Sequence, residues 1–96
     1  MSPSDPRRLA LPESLGAAEA AGLADQLRAL RGAPVEIDAS AVRKMGGLCA
    51  QILLSAAATW RADATTLRLS EPSPEMVEAL GHMGLDAAAL EAGDAS

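Results

Sequence analysis

Several residue types are scarce in this 96-residue sequence: it has no Phe, no Tyr, one Trp, one Cys, one His and one Lys. Without Phe or Tyr there is no tyrosine chemistry and no platform on which single-stranded nucleic acid usually stacks. One cysteine excludes an internal disulfide framework and suits a cytosolic chain. One His and one Cys cannot furnish a structural zinc site. Bases are outnumbered 8 to 13, giving a net charge of −5 and a pI near 4.6. That balance argues against a nucleic-acid partner and an anionic-membrane surface. The longest uncharged run, Met45 to Trp60, is interrupted by Gly46, Gly47, Gln51, Ser55 and Thr59. It is too short and too polar to cross a bilayer. No apolar stretch follows the first eight residues as a secretion signal requires, so a soluble cytoplasmic protein is expected.

Hydrophobic residues make up 49% of the chain, but 22 of them are alanine. The larger apolar side chains fill one small core, which implies a single domain of modest stability. Charge is placed unevenly. All eight bases lie at or before Arg68, whereas the residues after it carry six acids and no base. Such a run is normally a solvated face, which is the reading expected here; the functional alternative is an acidic rim on the last helices that steers partners.

Residues 1–7, with Pro3 and Pro6, are expected to be a disordered tail, the domain to span 8–91, and residues 92–96 to fray. Arg8 to Leu11 reads as a short strand closed by Pro12. A helix is expected from Ser14, with Ala20, Leu23, Leu27 and Leu30 on one face, ended by Gly32 and Pro34. Val35 to Asp38 follows as a strand and Ala39 to Gly46 as a loop. The second helix, Gly47 to Trp60, has Cys49, Ile52, Leu53, Ala56 and Trp60 on its apolar face. Its other side carries only Gln51, Ser55 and Thr59. Thr65 to Leu69 is a third strand. Ser73 and Pro74 then mark a helix as N-cap and first residue. That helix shows Met76, Val77, Leu80 and Met83 on its apolar face, with Gly84 as a left-handed terminator. Ala87 to Leu90 adds one further turn. Strands alternating with helices imply parallel strands and right-handed crossovers, hence an α/β domain with a narrow, mainly parallel sheet covered mainly on one face.

Catalytic inventory is thin. His82 and Cys49 lie on different helices, with no third group to orient the imidazole. Cys49 sits on an apolar stripe and reads as a small core residue. Gly46–Gly47 precede a helix, yet no phosphate-loop or dinucleotide motif can be written through them. They are expected to allow a sharp turn and close packing. Met45 is either anchored in the core or offered to a partner. No catalytic residue, cofactor or metal ligand set is expected.

Two stretches together resemble the STAS domain, the module named for sulfate transporters and anti-sigma factor antagonists. After the strand Val35–Ile37 comes Asp38-Ala39-Ser40-Ala41-Val42, which matches that family's Asp-x-Ser-x-Val, with Met45 at a following aliphatic position. Downstream, Leu67-Arg68-Leu69-Ser70 runs into Pro72-Ser73-Pro74, with Leu80, Gly84 and Leu85 in step. The resemblance covers about residues 8 to 90 and implies a protein-binding module rather than an enzyme. It also departs from the family. Gly46, Gly47, Leu48 and Cys49 stand where members have Asp-Ser-Ser-Gly, so the serine that partner kinases phosphorylate falls at Gly47. A two-residue shift puts Met45 and Gly46 at the serines, and neither register supplies an acceptor. Most members also open with a strand hairpin, for which only Arg8 to Leu11 is available.

The resemblance implies a partner with a histidine-kinase-like ATPase fold, either an anti-sigma factor or a chemotaxis-type sensor kinase. The alternative is a small subunit of a phospholipid-transport ABC complex, docking on the transporter ATPase. The expected partner surface comprises Arg43, Lys44, Met45, Gly46, Gly47, Leu48, Gln51 and Ser55. It combines a basic loop with an uncharged helix face of low desolvation cost.

Overall fold

In a computed structural model, which describes residues 7–93, alternation and helical periodicity divide the chain into short elements. Their order is β1 (Arg7–Ala10), β2 (Ser14–Leu15), α1 (Ala17–Ala29), β3 (Val35–Asp38), β4 (Lys44–Met45), α2 (Gly47–Ala62), β5 (Leu67–Ser70) and α3 (Pro74–His82). A 3-10 turn follows at Ala87–Leu90.

Strands β1, β3 and β5 form a parallel sheet in that spatial order, with Arg8, Glu36 and Arg68 in one row and Leu9, Ile37 and Leu69 in the next. Because the strands follow one another in sequence order, right-handed crossovers carry α1 and α2 to the same face. Burial agrees. Leu9, Val35, Ile37, Leu67 and Leu69 are buried, whereas Arg8 and Arg68 are exposed and Glu36, Asp38 and Ser70 half-buried. The open face is polar, and there Arg8 reaches Glu36 (3.7 Å) and Asp38 (3.4 Å). The α/β class and the one-sided covering stand as expected.

Ser14–Leu15 and Lys44–Met45 correct the expected helix start and loop. They pair in parallel as a second, two-residue ladder. Arg43 and Lys44 N–H both donate to Glu13 O (2.7 and 3.0 Å), and Gly46 N–H donates to Leu15 O (2.9 Å). The loop thereby satisfies backbone groups that would otherwise be stranded over the core. Helix α1 starts after this ladder, where Gly16 N–H donates to Glu19 Oε1 at 2.8 Å.

On α3 only Met76 and Leu80 face inward. Val77 (50% exposed) and Met83 (37%) lie outside the core, because a nine-residue helix packing by one i, i+4 stripe buries nothing broader. Gly84 does take the left-handed conformation that ends the helix, at φ 76°. The expected tails differ from the structure at both described ends. Arg7 belongs to β1, and Ala92 is buried, exchanging two 2.9 Å hydrogen bonds with Leu67. The outer edge of β5 has free donors, and this backward-running segment meets them. Residues 1–6 and 94–96 of the expected tails lie outside the described residues.

Candidate functional site

The two motifs singled out in the sequence meet at the carboxyl ends of the strands. Asp38 Oδ1 accepts from Ser40 N–H (3.0 Å) and from Ser40 Oγ–H (2.7 Å), closing a tight turn after β3. These bonds, ahead of the Arg8 charge, hold the Asp38 carboxyl below its ordinary value. Ser73 N–H donates to Ala39 O (3.2 Å), and Ser73 Oγ–H donates to Val42 O. The same hydroxyl accepts from Met76 N–H (3.1 Å) as the N-cap of α3. Ser73 thus joins the Asp-x-Ser-x-Val turn to the Pro-Ser-Pro turn. It is buried, so the hydroxyl serves the fold.

From that turn the chain reaches the start of α2. Arg43 and Lys44 are exposed, but Met45 is buried at 9%. Of its two readings, the burial fits the core anchor: Met45 pins the loop through the β4 pairing. Gly46 is the N-cap with φ −92°, and Gly47 is the first helical residue. Neither glycine takes a left-handed φ. A Cβ at Gly47 would meet nothing within 4 Å, and one at Gly46 would make an ordinary 3.6 Å contact with Leu15 O. Close packing therefore does not require either glycine, which corrects that expectation. Leu48 comes next and is 55% exposed. Cys49 turns inward, where its thiol donates to Gly16 O at 3.4 Å. Burial, and then the Glu19 charge, push that thiol up, away from the thiolate a nucleophile needs. His82, on the other helix, is exposed.

Beyond Leu48, Gln51 and Ser55 continue the exposed line of α2. They form one wall of a groove of about 410 Å³ between α1 and α2, with Arg28 and Arg31 on the other wall. Leu27, Ile52 and Trp60 lie deeper in the same groove. Small residues create it, since Ala24 on α1 and Ala56 on α2 line the space where the helices face each other. One end is braced by Arg31, whose Nε–H donates to Asp63 Oδ2 (3.0 Å) and whose second nitrogen donates to Oδ1 (3.3 Å). That pairing holds the Asp63 carboxyl below its ordinary value. Trp60 is fixed by its indole N–H, which donates to Ala33 O at 2.8 Å.

A family model described as "Mlab, STAS domain" matches residues 2–91. The chain belongs to the STAS family. No curated protein and no solved structure matches it. STAS domains are binding modules that mediate protein–protein contacts. In this STAS domain no helix of the described residues is long and apolar enough to cross a membrane.

The structure brings most of the expected partner-binding residues onto one continuous surface. Arg43, Lys44, Gly46, Gly47 and Leu48 lead into Gln51 and Ser55, and all seven are exposed. Sequence reasoning missed the opposite wall, namely Arg28 on α1 and Arg31 two residues beyond its end. Their only signal was a pair of bases three residues apart at the close of an alanine-rich helix.

Proposed function

We propose that this STAS domain is a non-catalytic docking module for a cytoplasmic ATPase, and that it works without serine phosphorylation at the start of α2. The observation that carries the reading is the surface running from Leu48 through Gln51 and Ser55 into the α1–α2 groove. It combines an exposed leucine, an apolar floor and an uncharged polar wall on α2, a helix whose only charge is Arg61, with Arg28 and Arg31 across the groove. Such a surface costs little to desolvate and leaves Arg43 and Lys44 at the rim, where charge acts mainly on encounter. Gly47 stands at the family's acceptor position and has no hydroxyl, so release of the partner depends on competition or expression.

The first partner class is a histidine-kinase-like ATPase, an anti-sigma factor or a chemotaxis-type sensor kinase in bacterial signalling. The second is the ATPase of a phospholipid-transport ABC complex, with this chain as its small STAS subunit. The match to a model described as Mlab favours the second class.

Affinity capture from the native cell followed by mass spectrometry separates the two classes. Surface plasmon resonance against the captured ATPase then tests the surface. Arg43→Glu combined with Lys44→Glu slows association, most clearly at low salt. Gln51→Arg speeds dissociation, and both variants melt with the parent. Unchanged kinetics in both, with folding intact, place the interface elsewhere. Intact-mass analysis after incubation with the ATPase and ATP shows no phosphate on the chain, whereas stoichiometric addition at the exposed Ser40 overturns the phosphate-free reading.

A further inference from the structure

The sheet has two unlike edges. At β5 the outward donors are occupied: Leu67 N–H donates to Ala92 O (2.9 Å) and Leu69 N–H to Glu91 Oε2 (2.9 Å). At β1 the bonds go only inward, from Arg7 N–H to Pro34 O (2.8 Å) and from Leu11 N–H to Asp38 O (2.9 Å). Parallel pairing engages alternate residues, so the N–H groups of Arg8 and Ala10 point away from β3. Among the described residues neither has a partner.

A second feature lies beside this edge. Between the carboxyl end of β1 and α1 runs a groove of about 600 Å³, walled by Ala10, Leu11, Pro12 and Leu15 on one side and by Gly22, Leu23 and Gln26 on the other, with the Glu19 carboxylate at its α1 side. Gly22 leaves open space there, since a Cβ built on it would meet nothing within 4 Å. A strand laid against β1 sends successive side chains to opposite faces. One set enters the groove, and the other joins Arg8 on the open face of the sheet.

We propose that β1 receives an extended segment of another protein by strand addition, with apolar side chains at alternate positions filling this groove and an acidic residue beside Arg7 and Arg8. Backbone bonding supplies the attachment and the groove supplies selectivity, as in other cases of strand addition. Charge selects the occupant. Strand β1 holds two arginines and no acid; Arg8 already reaches Glu36 and Asp38 on β3, whereas Arg7 makes no ion pair among the described residues and is the charge left for an incoming acid. A second copy of this chain fits poorly, because its own Leu9 and Leu11 are buried in its own core and pairing two β1 strands gathers four arginines. This surface uses the side of α1 away from α2, and so extends beyond the docking groove described above.

The probe is the acetylated, amidated peptide Glu-Val-Thr-Val-Thr-Val-Glu, which presents an acid to Arg7 and Arg8 in either strand direction. It is titrated into the ¹⁵N-labelled full chain and followed by NMR. The expected result is shifts over residues 7–11 and 19–26, with slowed amide exchange at Arg8 and Ala10. Gly22→Leu fills the groove while favouring the helix, and weakens binding by about tenfold or more. Ala10→Pro removes one outward N–H and leaves the β1–β3 bonds intact, with a similar loss. Absence of shifts at Arg8 and Ala10 at about millimolar peptide, a range NMR detects, overturns the proposal. Parent-like binding by both variants overturns it as well. Self-association of the parent that Ala10→Pro abolishes does so in favour of a second copy.

Discussion

Ser73 shows how much one side chain carries in a small fold. Its hydroxyl donates to Val42 O, caps Met76 N–H and sits 5% exposed between the two loops that mark the family. Ser73→Ala leaves a buried carbonyl and a helix donor unpaired, and lowers stability by about 1–3 kcal/mol in denaturant melts. The loosened turn also weakens the backbone bond from residue 73 to Ala39 O, which NMR registers as faster exchange of the residue 73 amide in the variant. Two carboxylates act more weakly, and their contribution, present at neutral pH, is lost in acid. Asp38 is held low first by the Ser40 bonds, and Asp63 first by the Arg31 bond. A carboxyl whose native value is depressed adds stability above its unfolded value and loses it as pH falls through the native one. The combined variant Asp38→Asn with Asp63→Asn therefore melts below the parent at neutral pH, and the two curves converge in strong acid. A gap that persists there assigns the effect to lost hydrogen bonds rather than to charge.

Among the elements, the helices differ in how they are held. Leu27 on α1 and Leu80 on α3 are buried at 4% and 0%, whereas Val77, one turn from Leu80, is half exposed. Leu27→Ala and Leu80→Ala each cost about 2–5 kcal/mol, as truncations in a filled core do. Val77→Ala stays within about 0.5 kcal/mol, the range of surface changes. Equal losses for Val77 and Leu80 in urea melts assign α3 a broader buried face than the structure gives it. These helices were legible because their signals are long or chemically specific: a leucine stripe over α1, the run from Cys49 to Trp60, and Ser73-Pro74 ahead of α3 closed by Gly84. The β2–β4 ladder was not legible, since two residues cannot display alternation. Met45 stayed ambiguous for the same reason, because its burial depends on that pairing. Half of the proposed docking surface was visible as the uncharged line Gln51, Ser55 and Thr59. Its other wall was hidden because a groove arises from which alanines face each other across two helices, and no single-helix pattern encodes that.

On the scale of the whole molecule, sequential strand order sets what the domain can offer. With both crossovers on one face there is no reversal of strand order, and hence no crevice of the kind where open α/β sheets bind small ligands. The proposed interaction surfaces lie instead on the helical layer and on one of the two sheet margins. Those margins make a measurable prediction for the free chain. Arg8 and Ala10 amides exchange rapidly, while Leu67 and Leu69 at the opposite margin are protected; Glu91→Ala releases Leu69 and spares Leu67. Fast exchange at Leu67 in the parent removes Ala92 from the margin. The bond from Glu91 and the pairing of Ala92 have one more consequence. A sheet that builds filaments needs a receptive margin at both ends, so that each unit seats the next. Here one end is closed by the chain itself, so the strand addition proposed at β1 is monovalent and would end the sheet it joins.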